Sequence, residues 1–272
     1  MSQEVYVRSV LRRFGMSRCK PAITPMVEKF FEGHDAEEDQ SSVNMEMYQQ
    51  MIGSLLYLAL RSRLDILVSV LILARFQQNP TAYCHRAVKR ALRYLKGTTD
   101  HALVYTKGTC DLSVFVDSDY AGDTTDRKST TGYIVKLGTA LVNWAARKQK
   151  SVALSTCEAE YFALSDASQE VIWMRRLMKE IGKAVKGPTP LRSDNDAAIS
   201  WSVGSKKHSK RAKHIDVRVQ FVRDFVAQRK IDVFHVPTEE NDADMLTKPL
   251  GRINLKMILD RIWLRGAVEE EC

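Results

Sequence analysis

Residues 112–117 read Leu-Ser-Val-Phe-Val-Asp, and this stretch decides the fold class. Its apolar first, third and fifth residues alternate with Ser113, Phe115 and Asp117, which is the two-residue period of a strand with one buried face. Ligands bind at the ends of strands in open α/β sheets, so a carboxylate there is informative. The stretch predicts a sheet edge that carries an acidic ligand-binding residue.

The segments that follow predict a mixed sheet. A Gly- and Thr-rich turn at 122–132 leads to a strand near Tyr133–Leu137, and a tight turn leads to another near Leu141–Arg147, which together indicate an antiparallel meander. The later elements are expected to be a helix from Thr156 to Ile181, a strand ending at Asp194, a short helix from about Ala197, a helix from Lys213 to Arg229, a strand from Ile231 to Val236 and a final helix. The predicted fold is α/β, a mixed sheet with helices on both faces.

Before Gly108 the pattern is helical. The most apolar region, 52–76, is interrupted by Arg61, Arg63 and Asp65, and neither half reaches the roughly 20 apolar residues that a membrane span needs. The region therefore predicts a buried pair of helices and no membrane partner.

A third helix, Tyr83–Lys96, divides into an apolar face and a basic face. The apolar face carries Cys84, Val88, Ala91, Leu92 and Leu95, and the basic face carries Arg86, Lys89, Arg90, Arg93 and Lys96. The basic face either follows a phosphate backbone or is a solvated surface over a helical bundle.

The charge balance favours a polyanionic partner. Lys and Arg outnumber Asp and Glu 41 to 33, for a net charge of +8. The five cysteines show no C-x-x-C spacing and are typical of reduced thiols in an intracellular protein. The six histidines show no zinc-ligand spacing, and His235, within a predicted strand, is expected to be packed.

Four acids, three of them at strand ends or helix starts, suggest a metal site: Asp117, Glu160, Asp194 and Asp244. Two carboxylates about 4 Å apart repel by roughly 4 kcal/mol at an effective dielectric of 20, so a cluster needs a cation. Oxygen ligands select Mg²⁺ or Mn²⁺, and two such ions serve phosphodiester hydrolysis. Asp117 and Asp194 are assigned as bridging or direct ligands, completed by Glu160 and Asp244.

The two glutamates of the motif 155–160 are expected to differ in role. Ser155 and Glu158 have the spacing of a capping box, in which the glutamate reaches back to the Ser155 amide. Glu160 falls instead on the stripe that the helix should bury, where a carboxylate is costly unless it meets a cation. Glu158 is therefore predicted to be structural and Glu160 functional.

Several residues are candidates for nucleic-acid contact. A dense positive run comprises Lys206, Lys207, Lys210, Arg211 and Lys213, for which ordinary surface charge is the alternative. Arg127, Lys128 and Ser129 form a second candidate contact, and Asn195 and Asn241 are candidates for hydrogen bonds to ribose hydroxyls.

Ordered motifs cover nearly the whole chain. They are YVRSVLRRFGMSRCKPAITPM, YQQMIGSLLYLALRSRLDI, RAVKRALRYLKGTT, VFVDSDYAGD, DRKSTTGYIV, NWAARKQKSVALSTCEAEY, LRSDNDAAI, KHIDVRVQFVRD and HVPTEENDADMLTKPL. In order and spacing the last six resemble the ribonuclease H domain of copia-type LTR retrotransposon Pol polyproteins, and the first three resemble the segment that follows the polymerase core.

The resemblance implies an RNase H-like five-stranded sheet and hydrolysis of the RNA strand of an RNA/DNA hybrid. It places the catalytic carboxylates on Asp117, Glu160, Asp194 and Asp244, with two Mg²⁺ or Mn²⁺ ions and no small-molecule cofactor. It implies a thumb- or connection-like helical region at 1–108, an RNase H-like domain at 109–250 and a C-terminal helix or tail at 251–272. The expected partners are the hybrid and the polymerase core, in a cytoplasmic virus-like particle or the nucleus.

The chain departs from the family pattern at several points. It lacks the Y-x-D-D type motif of a polymerase, and it carries Leu64 where the family often has proline and Cys157 where the family often has Ser or Thr. Only seven residues separate Val236 from Asp244, too few for a flexible histidine loop. Two other readings stay open. One is a non-catalytic nucleic-acid-binding remnant, and the other is a strand-transfer enzyme of the same fold, which usually has three acids and a zinc-binding module.

Overall fold

The computed structural model describes residues 1–35, 43–123, 126–204, 213–262 and 264–265. Within these ranges the α-helices are α1 (Glu4–Arg13), α2 (Phe30–Asp35), α3 (Met45–Arg61), α4 (Leu67–Ala74), α5 (Ala82–Gly97), α6 (Thr156–Glu180), α7 (Asp196–Ser202), α8 (Lys213–Ala227) and α9 (Arg252–Arg261). The strands are β1 (Ala102–Leu103), β2 (Leu112–Asp119), β3 (Thr130–Leu137), β4 (Ala140–Lys148), β5 (Thr189–Ser193), β6 (Ile231–His235) and β7 (Leu264–Arg265). No helix of the described ranges is long and apolar enough to cross a membrane.

The chain forms two compact units. One comprises Met1–Tyr105 together with Lys248–Cys272, and the other comprises Thr106–Thr247. The predicted C-terminal tail at 251–272 thus groups with the helical unit. Within that unit β1 pairs antiparallel with β7, which ties the two parts of its chain together.

The helical unit has a core built from α1, α3, α4 and α5. Asn44 and Thr81 cap α3 and α5, because their side-chain oxygens accept hydrogen bonds from backbone amides in the first turns. The apolar face predicted for α5 is fully buried, and α3 with α4 forms the predicted buried pair. The second helix of that pair, α4, is short, because a 3₁₀ turn at Leu64–Ile66 precedes it.

The basic face of α5 is partly used within the protein. Arg90 donates to the Thr24 hydroxyl at 2.9 Å, and Arg93 donates to the Lys20 carbonyl at 2.7 Å. These two guanidinium groups hold the loop before α2 against α5. Arg86 and Lys89 are exposed.

The second unit contains a mixed sheet in the order β4-β3-β2-β5-β6. The pairs β2–β3 and β3–β4 are antiparallel, whereas β2–β5 and β5–β6 are parallel. This is the predicted meander followed by parallel strands. It confirms the RNase H-like class, a mixed five-stranded sheet with flanking helices that a helical region precedes.

The core of this unit lies between one sheet face and α6. Leu112, Val114 and Val116 point to that face, where Ala163, Leu164, Ala167 and Val171 of α6 are fully buried. The opposite face receives a 3₁₀ helix at Asp242–Leu246, which contacts β2 and β3. Within this unit, that 3₁₀ helix covers the second face of the sheet.

Gly132 lies inside β3 and not in the predicted turn, because β3 begins at Thr130. A β-carbon at Gly132 would lie 2.7 Å from Thr247 Cγ2 and 3.1 Å from the Ala243 carbonyl oxygen. Glycine inside a strand permits such a close approach. Gly132 pairs with Asp117 across the sheet. Because Gly132 has no side chain, the 3₁₀ helix packs directly beside that acid.

Candidate metal centre and active site

Three of the four predicted acids meet at one end of the sheet. Asp117 lies in β2, Glu160 lies early in α6 and Asp194 directly follows β5. One carboxylate oxygen of each lies within 4.8 Å of the other two. Parallel β2 and β5 bring their carboxyl ends to the same edge, and α6 crosses above them, so residues 77 positions apart in sequence converge.

Glu160 is the most constrained of the three. Its side chain is buried, its Oε1 accepts a hydrogen bond from the Ser118 amide at 3.2 Å, and its Oε2 is buried with no hydrogen-bond partner among the described residues. Burial, followed by the charges of Asp117 and Asp194, raises the pKa of Glu160 to about 9. A buried carboxylate oxygen without a partner is costly unless a cation meets it.

The other two carboxylates are each held by a hydroxyl group. The Thr247 hydroxyl donates to Asp117 Oδ2, and the Thr238 hydroxyl donates to Asp194 Oδ2 at 2.7 Å. Asp117 is buried, whereas Asp194 is half-buried. The three carboxylates supply only hard oxygen ligands, and with the orphaned Glu160 Oε2 they fit Mg²⁺ or Mn²⁺.

Asp244 is not part of this cluster of described residues. It lies in the 3₁₀ helix and is buried, and its carbonyl oxygen lies 3.0 Å from the Thr247 hydroxyl oxygen. Its role as a fourth metal ligand therefore stays a prediction. What the structure shows is that its backbone supports the threonine that contacts Asp117.

One hydrogen bond of the predicted capping box is present, and in the other the donating amide is one residue earlier than predicted. The Glu158 amide donates to Ser155 Oγ at 3.2 Å, as expected. The Glu158 carboxylate, however, accepts from the Leu154 amide at 3.0 Å rather than from the Ser155 amide. Ser155 has the extended backbone angles that are usual for an N-cap residue. Glu158 is structural in either case.

The predicted nucleic-acid contacts fall into three groups. Arg127 is exposed, and Lys128 is half-buried with its Nζ 3.8 Å from Asp126 Oδ2. Lys206, Lys207, Lys210 and Arg211 lie outside the described residues, and Lys213 begins α8. The third group, Ser129, Asn195 and Asn241, makes hydrogen bonds within the protein.

The bonds of that third group are specific. Ser129 is fully buried and its hydroxyl oxygen accepts from the Ala121 amide at 3.1 Å. Asn195 caps α7 by accepting from the Ala198 amide at 2.9 Å. Asn241 is fully buried and donates to the Val116 carbonyl at 2.9 Å, so its amide anchors the 3₁₀ segment to β2 and does not face a ligand.

The prediction that His235 is packed is wrong. Its ring is exposed at the end of the edge strand β6, with Nε2 3.9 Å from Asp196 Oδ1. The alternation of buried and exposed residues in β6 stops after Phe234, because Phe234 and His235 are both exposed. Sequence reasoning also missed Gly132, Thr238 and Thr247. The one sequence signal for these contacts was Gly132 itself, because a glycine next to a predicted strand can mark the close approach of another segment.

Comparison with known proteins supports one family. No family model matches the chain. The chain is 38% identical over 98% of its length to the retrovirus-related Pol polyprotein from transposon TNT 1-94 of Nicotiana tabacum, of which it covers 20%. It is 37% identical over 93% of its length to the corresponding polyprotein from transposon RE2 of Arabidopsis thaliana, of which it covers 17%. The chain thus spans about a fifth of these relatives.

Among solved structures, RNase H1 from the archaeon Halobacterium salinarum matches 50% of this chain and 94% of its own, with 16% identity and a TM-score of 0.37. That score is low, so the fold assignment rests on the strand order and register described above. The sequence identity over nearly the whole chain decides the family. The chain belongs to the copia-type retrotransposon Pol polyproteins.

Proposed function

We propose that this chain is a ribonuclease H that hydrolyses the RNA strand of RNA/DNA hybrids during reverse transcription. The observation that supports it is the convergence of Asp117, Glu160 and Asp194, with a buried Glu160 oxygen that has no hydrogen-bond partner. Family membership and the RNase H-like sheet favour a nuclease among the functions that a carboxylate cluster serves. The helical unit would join the polymerase core of the same polyprotein.

The three carboxylates would hold Mg²⁺ or Mn²⁺, and we propose two ions. When bound, such ions lower the pKa of a nucleophilic water and neutralise charge on the leaving oxygen of a phosphodiester. Asp117 and Asp194 would contribute ligands, since a threonine hydroxyl fixes the orientation of each carboxylate. Glu160 would bind through its unpartnered oxygen, with its other oxygen held by the Ser118 amide.

Cleavage of a labelled hybrid in Mg²⁺ tests this proposal. Asp194→Asn should lower the rate by more than about 100-fold, because metal-ion stabilisation of a transition state is worth several kcal/mol. Asp196→Asn is the matched control, since Asp196 lies two residues away and its side chain is 87% exposed. It should cut within about twofold of wild type, because an exposed charge contributes little.

The same assay separates the alternatives. A non-catalytic remnant would bind the hybrid without metal-dependent cutting, and a strand-transfer enzyme would act on double-stranded DNA. Double-stranded RNA serves as the third substrate. Equal cutting by Asp194→Asn and wild type would remove Asp194 from the site.

Hybrid affinity should fall steeply with salt if the positive run contacts phosphates. Each neutralised phosphate contributes a log–log slope of about 0.9 in duplex DNA, so replacing Lys206, Lys207, Lys210 and Arg211 by Ala should reduce the slope by about 2 to 4 units. Fluorescence anisotropy across a salt series measures it. The control replaces four exposed cations near or after the C-terminal end of α6, Arg176, Lys179, Lys183 and Lys186. Equal slopes for the two variants would assign the run to ordinary surface.

A further inference from the structure

The segment 238–247 places two threonine hydroxyls on two of the three clustered carboxylates. Thr247 donates to Asp117 and Thr238 donates to Asp194. We propose that Thr247 is a positioning residue that fixes the Asp117 carboxylate for metal binding, and that Thr238 does the same more weakly for Asp194. This inference rests on the proposed metal-dependent function and assigns the segment a role other than supplying a fourth acid.

Thr247 is itself held from several sides. It is 2% exposed, its amide donates to the Asp244 carbonyl at 3.3 Å, and its hydroxyl oxygen lies 3.0 Å from that same carbonyl. Its methyl group lies over Gly132, where any side chain would clash. Separate contacts of the methyl group with Gly132 and of the hydroxyl group with Asp117 favour one rotamer of the β-branched side chain. The hydroxyl is therefore already aimed at Asp117.

The segment is also tied to the strand that carries Asp117. Asn241 donates to the Val116 carbonyl at 2.9 Å and accepts from the Ala243 amide at 3.2 Å. The segment thus makes hydrogen bonds to two consecutive residues of β2, to the backbone carbonyl of Val116 and to the carboxylate of Asp117. Thr247 is placed by a rigid, fully buried anchor and not by a mobile loop.

A hydroxyl donor on one carboxylate oxygen restricts rotation about the terminal torsion of the aspartate and so holds the carboxylate in one orientation. Groups that orient metal ligands in this way contribute about 10- to 100-fold to metal affinity. Thr238 is exposed, so water can replace its hydroxyl at little cost. The two threonines are therefore expected to differ in importance.

Mn²⁺ titration of the full chain, by calorimetry and by the loss of the free-ion paramagnetic resonance signal, tests the inference. Thr247→Val keeps the shape but removes the hydroxyl and should weaken Mn²⁺ binding by about 10- to 100-fold. Thr247→Ser keeps the hydroxyl and should remain within about threefold of wild type, as should Thr238→Val. Should Thr247→Val fail to fold, Thr247→Ala, which is smaller beside Gly132, replaces it with the same expected loss.

Wild-type affinity in the hydroxyl-free variant would overturn the inference while leaving the proposed function intact. Equal loss in Thr247→Ser and Thr247→Val would also overturn it, because packing and not the hydroxyl would then matter. Absence of Mn²⁺ binding by the wild type would overturn the proposed function, and this inference with it.

Discussion

Glu160→Gln should abolish hybrid cleavage and, in the metal-free protein, raise the free energy of unfolding. The substitution removes a ligand charge that the proposed reaction needs. It also removes an ionisable carboxyl group that is 6% exposed and lies beside Asp117 and Asp194, where burial and like-charge repulsion oppose ionisation and folding therefore has to keep the group protonated. Cleavage rates with Mg²⁺, and urea unfolding with a chelator present, measure the two effects on one variant.

The stability effect should depend on pH with a defined sign. The pKa of Glu160 is raised from 4.5 to about 9, so the folded protein retains a proton that the unfolded chain releases. The resulting stabilisation is present below about pH 4.5 and is lost as pH rises towards 9. The advantage of Glu160→Gln over wild type should therefore be larger at pH 9 than at pH 5. Added Mn²⁺ should reverse the order of stability.

Glu158→Gln is the matched control, on the same helix and also buried. Glutamine keeps an oxygen for the Leu154 amide, so cleavage should stay within about twofold and stability should fall by no more than about 1 kcal/mol. If the two substitutions exchanged effects, with Glu158→Gln abolishing cleavage, Glu160 would lose its assignment as the functional residue.

Local periodicity predicted most of the second unit. The two-residue alternation of β2 and the stripe of α6 are properties of short segments, so the burial of Val114, Ala163 and Glu160 could be predicted. Turn residues predicted the antiparallel meander. Gly138, between β3 and β4, adopts a φ of +61°, which glycine allows without strain. The convergence of Asp117 and Asp194 also followed, because the parallel strands β2 and β5 end at the same edge of the sheet.

The unpredicted features depend on contacts between distant segments. The approach of Thr247 to Gly132 and Asp117 joins residues more than 110 positions apart, and no periodic pattern encodes it. The same holds for the pairing of β1 with β7. The exposure of His235 depends on β6 being an edge strand, which is a property of the sheet order.

Arg63 and Asp65, which interrupt the most apolar region of the sequence, form a buried ion pair. Their side chains are at most 1% exposed, with Arg63 Nη2 2.8 Å from Asp65 Oδ2. Tyr94 donates to the same carboxylate at 2.8 Å, and the Thr98 carbonyl accepts from Arg63 Nη1 at 2.8 Å. Burial by itself lowers the pKa of Arg63, but Asp65 and Tyr94 outweigh it and raise that pKa. The Arg63 guanidinium is therefore charged, and the carboxylate of Asp65 balances its charge.

Asp65→Asn should destabilise the helical unit by about 3 to 5 kcal/mol, because it leaves a buried cation without its counter-charge. Hydrogen exchange at the amides of α3 and α5 reports this unit separately from the sheet. The exposed pair of Arg8 with Glu4 gives the control, since Glu4→Gln should cost no more than about 1 kcal/mol. Replacing Arg63 with Met and Asp65 with Leu together should cost less than Asp65→Asn alone, because no charge remains buried. A double variant less stable than Asp65→Asn would instead show that the pair is a net stabilising contact in this core.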